Sequence, residues 1–181
     1  MRTFLGIPVP DQIKRKINDL VSEEKKRRLP VKWVRCENLH ITLRFLGEID
    51  EMQKENVVST LNRIRNKYDS FEMNLEHLGC FPHPSRPRVL WIGVGQGGDI
   101  LNAIAGQIED DLGEKGFKRE GRFHAHLTIG RVKKPCNVDA LLMKPFCSEN
   151  MLVHSINLYE SLLKPEGPVY RVLHSFSLVP A

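Results

Sequence analysis

Two copies of one short tetrad could do chemistry together: His40-Ile41-Thr42-Leu43 and His126-Leu127-Thr128-Ile129. Successive side chains of a β-strand point to opposite faces, so a histidine and a threonine two apart share one face. Each tetrad then presents an imidazole and a hydroxyl together and turns its two aliphatic residues towards a core. A single tetrad would say little, because a histidine on the polar face of a strand is ordinarily a surface residue. Two matching tetrads in strand-like contexts, meeting across a groove, would supply a general acid, a general base and two hydroxyl donors. Histidine suits both proton-transfer roles, since an unperturbed pKa of about 6.5 lets one ring be neutral and the other protonated near neutrality. The hydroxyls can donate to non-bridging oxygens and stabilise charge that builds there. The chemistry indicated is that of a phosphate ester. In-line attack at phosphorus needs acid and base on opposite sides, which two strands from opposing lobes provide.

The elements that must hold these strands are readable from periodicity. Residues 2–7 read as a strand stopped at Pro8, and Asp11 opens a helix whose Ile13, Ile17, Leu20 and Val21 form one apolar stripe. That helix ends in the charge cluster EEKKRR, expected to be a solvated end with contact to a nucleic acid backbone as its alternative, and is broken by Pro30. A short strand over 32–35 precedes a longer one over 39–47. A second helix over 51–68 turns Val57, Leu61, Ile64 and Tyr68 inward, and residues 71–75 alternate as a half-buried strand. Residues 79–98 read as mostly loop with one strand at 88–94. Their glycines lack the Gly-Lys-Ser/Thr ending of a phosphate loop, so a turn is expected. A third helix over 99–115 buries Ile100 or Leu101 with Ile104, Ile108 and Leu112. The second tetrad lies on a strand over 124–132, followed by a helical patch at 138–144 and strands at 152–160 and 169–178. The tetrads are 126 − 40 = 86 residues apart, which suggests a weak internal duplication. Strands and helices without strict βαβ alternation point to α+β.

Composition narrows the class. A chain of 181 residues with 41% hydrophobic content can bury a sizeable core as one unit. No apolar stretch reaches the roughly 20 residues of a membrane span, and the amino-terminal apolar run is too short for a secretory signal, so a cytoplasmic protein is expected. The four cysteines form no Cys-x-x-Cys pair, which argues against a zinc site or disulfide framework. His124 and His126 could face one way as a metal pair, but no third ligand is evident, so no metal and no cofactor are expected. A net charge of +5 is compatible with a polyanionic partner or with simple surface lysines. By parity Arg44 shares the His40 face, where it could line the groove or simply be solvated. Phe45 shares the Ile41 face, so core packing is its default and base stacking its alternative. His77, His83, His154 and His174 fit no motif and read as structural or surface residues.

The segments RTFLGIPVP, WVRCENLHITLRFLGEI, GCFPHPSRPRVLWIGV, HAHLTIGR and LYESLLKPEGPVYRVLHSFSL extend the pattern nearly end to end. With them the chain resembles the RNA 2′,3′-cyclic phosphodiesterases of the two-histidine (2H) phosphoesterase superfamily, also called 2′-5′ RNA ligases. The resemblance implies an α+β fold over residues 1–181 as a single bilobal unit, with two antiparallel sheets facing across a central groove. It implies metal-independent hydrolysis of an RNA 2′,3′-cyclic phosphate end to a 2′-phosphomonoester. His40 matches the family's proton donor and His126 its proton acceptor. Thr42 and Thr128 match the threonines that hold phosphate oxygens, and Arg131 matches a basic residue that contributes to phosphate binding. In an ideal strand Arg131 has the wrong parity for that role, so it needs a twist or a strand end after Gly130. Ala125 replaces a proline common in relatives and removes no catalytic group. Nothing within the tetrads distinguishes acid from base. The same groups could run the reverse, 2′-5′ ligation, or a non-catalytic protein could use the groove to bind RNA ends. The physiological RNA, whether tRNA halves, another RNA or a small cyclic nucleotide, stays open, and a monomer is the default.

Overall fold

The computed structural model describes residues 1–181. The first half of the chain runs through β1 (Arg2–Pro8), α1 (Asp11–Lys25), β2 (Val31–Trp33), β3 (His40–Glu48), α2 (Glu51–Ile64), β4 (Phe71–Met73) and β5 (Leu75–His83). The second runs through β6 (Arg86–Val94), α3 (Gly98–Glu114), β7 (His126–Val132), α4 (Asp139–Leu142), β8 (Met151–Val153), β9 (Ser155–Lys164) and β10 (Gly167–Ser177).

The long strands lie in the order β10-β9-β1-β3-β7-β6-β5, with β2 added beside β7 and β4 paired separately with β8. All pairings of this sheet are antiparallel. One residue pair, Ile41 opposite Leu127, joins β3 to β7. The sheet is therefore two antiparallel lobes, β10-β9-β1-β3 and β2-β7-β6-β5, that touch at the aliphatic residue inside each tetrad. Each half of the chain also lends a strand to the other. β5 from the first half pairs with β6, and β9 from the second half pairs with β1.

The helices cover the core faces. Pro10 precedes α1 in an extended conformation, and Ile13, Ile17 and Val21 are buried at helical spacing. A capping box opens α2: the Gln53 amide donates to Asp50 at 2.8 Å and the Asp50 amide donates to the Gln53 side chain at 3.0 Å. On α3 the buried stripe uses Leu101, not Ile100, with Ile104, Ala105, Ile108 and Leu112. These stripes and the inner strand faces merge into one buried cluster that spans both lobes. Full burial of an aliphatic side chain contributes about 1.5–3 kcal/mol, so Ile41 and Leu127, both wholly buried, bind the lobes firmly at their one shared pair. No helix is long and apolar enough to cross a membrane.

Several local expectations change. The stretch expected to be mostly loop holds all of β5 beyond Gly79, which closes on β6 through the two-residue turn Pro84-Ser85. Its glycine is a packing device: a Cβ on Gly79 would lie 2.2 Å from the Trp91 ring that crosses it. The strand expected over 71–75 divides at Asn74, the one expected from 152 divides at His154, and β7 begins at His126 rather than His124. The first short strand ends at Trp33, and a 3-10 turn, Cys36–Asn38, follows. α2 stops at Ile64, and Tyr68 packs on the core from the turn beyond it. The EEKKRR cluster is not wholly solvated, because Glu24 is fully buried between Lys144 at 2.6 Å and Arg27 at 3.1 Å.

Gly79→Ala should drive a methyl group into the Trp91 ring and cost about 1–3 kcal/mol of stability. Urea unfolding at unchanged m-value measures this, and a variant as stable as the parent would show that the ring has room to move.

Candidate active site

Both tetrads end in a β-bulge. Along β3, Gly6 pairs with Thr42 and the next residue, Leu5, pairs with Arg44, so Leu43 is an extra residue. Along β7, Trp91 pairs with Thr128 and Leu90 with Gly130, so Ile129 is extra. The bulges are 129 − 43 = 86 residues apart, the same offset as the histidines. An extra residue inverts the parity of everything after it. Phe45 and Arg131, which share that 86-residue offset, are thereby swung onto the groove side with the histidines.

This corrects the parity reading of Arg44. It is only 3% exposed and faces the core, ion-paired with Glu109 of α3 and donating to the Lys118 carbonyl. Glu109 also accepts from the Glu120 amide at 2.7 Å, so the pair pins the segment that leads into His126. Phe45 is corrected in the opposite sense: it is 56% exposed and lines the groove. Arg131 gains the irregularity that a position on the groove side required. Nothing in the sequence marks the bulge positions, which are as aliphatic as the core residues beside them.

The groove between the lobes has a volume of about 1370 Å³ and brings together His40, Thr42, His126, Thr128 and Arg131. The two imidazoles are held in the same way. His40 Nδ1 lies 2.6 Å from the Asn38 carbonyl, and His126 Nδ1 lies 2.7 Å from the His124 carbonyl. A carbonyl only accepts, so each Nδ1 donates and each Nε2 is left free to accept or deliver a proton. The Thr42 hydroxyl lies 2.9 Å from His40 Nε2, whereas His126 Nε2 has no hydrogen bond within the protein. The Asn38 side chain donates to the Pro168 carbonyl at 2.9 Å, tying the residue that orients His40 to the β9–β10 hairpin.

Aromatic rings frame each imidazole. His40 sits 4.7 Å from Phe4 and 5.2 Å, edge-on, from Tyr170. His126 sits 5.1 Å, edge-on, from Phe81 on the exchanged strand β5. Tyr159, on the other exchanged strand, holds the matching place 6.0 Å from His40. Gly6 makes room there: a Cβ would stand 2.9 Å from the Ile41 carbonyl and 3.4 Å from both His40 and Tyr159. No sequence signal singled out these rings, because their partners come from strands far away in the chain. His124 and His126 gain no third ligating side chain.

Burial lowers the pKa of both histidines. For His40 it falls to about 4, with Lys14 adding to the effect and the Asn38 carbonyl opposing it. For His126 burial again leads, aided by His124 and Arg131 and opposed by the His124 carbonyl. Both rings are therefore neutral in the empty groove near pH 7. An anion bound between them raises both values, so protonation is coupled to phosphate binding.

A groove with two histidine–threonine pairs, one from each of two repeated halves, defines the class. The family model for LigT-like phosphoesterases matches residues 7–91 and again 92–170, and the chain belongs to that family. It is 37% identical to the RNA 2′,3′-cyclic phosphodiesterase of Archaeoglobus fulgidus, over 97% of this chain and 99% of the relative. The crystal structure of a Thermus thermophilus protein superposes with a TM-score of 0.84 at 26% identity, covering 99% of both chains. Escherichia coli LigT complexed with 3′-AMP superposes with a TM-score of 0.81 at 25% identity, covering 98% of this chain and 96% of that one.

The depressed histidines predict how stability depends on pH. Between pH 6.5 and about 4 the unfolded chain binds more protons at His40 than the folded chain does, so stability falls as pH drops through that window. In denaturant titrations across it, His40→Gln should lose stability less steeply than the parent. Parallel curves would contradict the burial of a neutral imidazole.

Proposed function

We propose that this chain is an RNA 2′,3′-cyclic phosphodiesterase that opens the cyclic phosphate at an RNA 3′ end to a 2′-phosphomonoester, with no metal or cofactor. The observation that carries the reading is the paired tetrads, each with its imidazole fixed by Nδ1 to a backbone carbonyl and its Nε2 turned to one shared groove. The family and the named relatives support the substrate class.

In this reading His126 Nε2 accepts the proton of a water molecule as its oxygen attacks phosphorus. His40 Nε2 gives a proton to the departing 3′-oxygen, and the 2′-oxygen keeps the phosphate. Thr42, Thr128 and Arg131 hold the non-bridging oxygens, where charge accumulates. The environments of the two motifs support this polarity, which the tetrads alone leave open. Phe45, Phe4 and Tyr170 gather on the His40 side, while the matching position on the His126 side is the cation Arg131. A base stacked on Phe45, worth about 1–3 kcal/mol, sets the nucleoside, and with it the leaving oxygen, beside His40.

The pKa of His40 in the empty groove runs against an acid role, because burial favours the neutral ring. The phosphate anion must supply the missing stabilisation, so substrate binding draws in a proton. Affinity for a 2′-nucleotide product should accordingly rise as pH falls from 7 towards 5, with net proton uptake seen by calorimetry in buffers of different ionisation enthalpy. Affinity independent of pH would refute coupled protonation.

The decisive experiment incubates the protein with a short RNA ending in 2′,3′-cyclic phosphate and identifies the product. A 2′-phosphate supports the proposal, joined RNA indicates ligation, and binding without turnover indicates an end-binding protein. His40→Ala and His126→Ala should each lower turnover by roughly 10²- to 10⁴-fold. Near-normal rates in either variant would sink the mechanism.

A further inference from the structure

The groove is electrically lopsided. On the His40 side its rim carries Arg2 with Glu166 close to the hairpin turn. On the His126 side Lys32, Arg35 and Arg122 join Arg131, and all four are exposed. Two further acids line the groove and both are engaged by Arg44: Glu109 pairs with it, and Glu120 lies near it and donates its amide to Glu109. Arg35 makes only a loose contact with Glu37 at 3.8 Å.

Lys32 stands directly opposite Arg131 in the β2–β7 ladder. Like charges directly opposite each other in an antiparallel pair are destabilising, so folding alone does not favour this placement. Trp33, next along β2, is half-buried over Gly130, where a Cβ would come within 3.0 Å of the indole, and packs on the core from the strand face opposite Lys32 and Arg131. One phosphate between the tetrads uses Arg131 and leaves three cations unexplained. The volume of the groove points the same way, since about 1370 Å³ exceeds the roughly 300–1,000 Å³ of a small-molecule site.

We infer that the His126 rim is a second subsite, in which Lys32, Arg35 and Arg122 bind the phosphodiester backbone of single-stranded RNA. A positive track suits the backbone of such a strand without reading its sequence. The inference rests on the phosphodiesterase reading and extends it from the reacting phosphate to its polymeric context. The backbone can come from nucleotides upstream in the substrate strand or from a second strand ending near the nucleophile side.

The test compares kcat/KM for a 2′,3′-cyclic mononucleotide and for a tetranucleotide with the same end, in the parent and in a Lys32→Ala, Arg35→Ala, Arg122→Ala variant. The substituted residues are exposed, so the fold tolerates their loss. The variant should lose about tenfold or more on the tetranucleotide, and the slope of log KM against log salt should flatten by about 2, near 0.7 per lost phosphate contact. The mononucleotide, too short to reach the rim, should keep its value. Equal losses on both substrates, or none on the tetranucleotide, overturn the subsite while leaving the activity standing. No turnover of either substrate by the parent overturns the activity itself. In a further arm, a 5′-hydroxyl RNA without a cyclic end is added to the mononucleotide reaction. Non-competitive inhibition that the variant abolishes assigns the rim to a second strand. Unchanged mononucleotide turnover, beside the tetranucleotide loss, assigns it to the substrate's own upstream phosphates.

Discussion

Everything in the groove depends on one backbone constraint, the extra residue at the end of each tetrad. Without Leu43 and Ile129 as bulges, β3 and β7 would continue their alternation and present Arg44 and Gly130 beside the histidines. With them, the strands present an aromatic ring and a guanidinium instead, and Arg44 is turned inward to Glu109. A bulge also adds twist, in keeping with strands that diverge after sharing only Ile41 and Leu127. One irregularity, used twice, thus opens the groove and chooses the residues that line it.

The two lobes share this framework and differ in what they hang on it. The equivalent positions after the bulges carry Phe45 on one side and Arg131 on the other. The imidazoles keep the same Nδ1 anchor to a carbonyl two residues upstream, while Thr42 bonds to its histidine at 2.9 Å and Thr128 does not. A symmetric scaffold accordingly carries an asymmetric lining, with an aromatic ring after one bulge and a guanidinium after the other. The anchors themselves are backbone groups, so side-chain substitutions at Asn38 or His124 can leave the acceptor in place.

Much of this was legible in the residues and some of it could not be. The helical stripes of α1 and α3 and the His–Thr faces follow from simple periodicity, because burial on one side enforces it. Parity failed at Arg44 and Phe45, since a bulge depends on which strand lies alongside, and β1 and β6 are remote in the chain. Arg131 was identified by family resemblance against its parity, and the bulge at Ile129 resolves that conflict. β5 was hidden because its glycine and prolines resemble a loop, yet Gly79 exists to accept the Trp91 ring. Glu24 was hidden likewise: its partner Lys144 lies 144 − 24 = 120 residues away.

The exchange of β5 and β9 between the halves has a mechanical consequence. Two lobes that touch at a single residue pair would ordinarily swing about it like covers about a spine. Here the chain crosses between the lobes before β5 and again before β9, and the two crossing segments pair with each other as β4 and β8, so wide opening would have to strain that ladder and the core that spans both lobes. The groove is therefore a braced slot with a set width. That width, fixed by the fold, limits what the groove can admit.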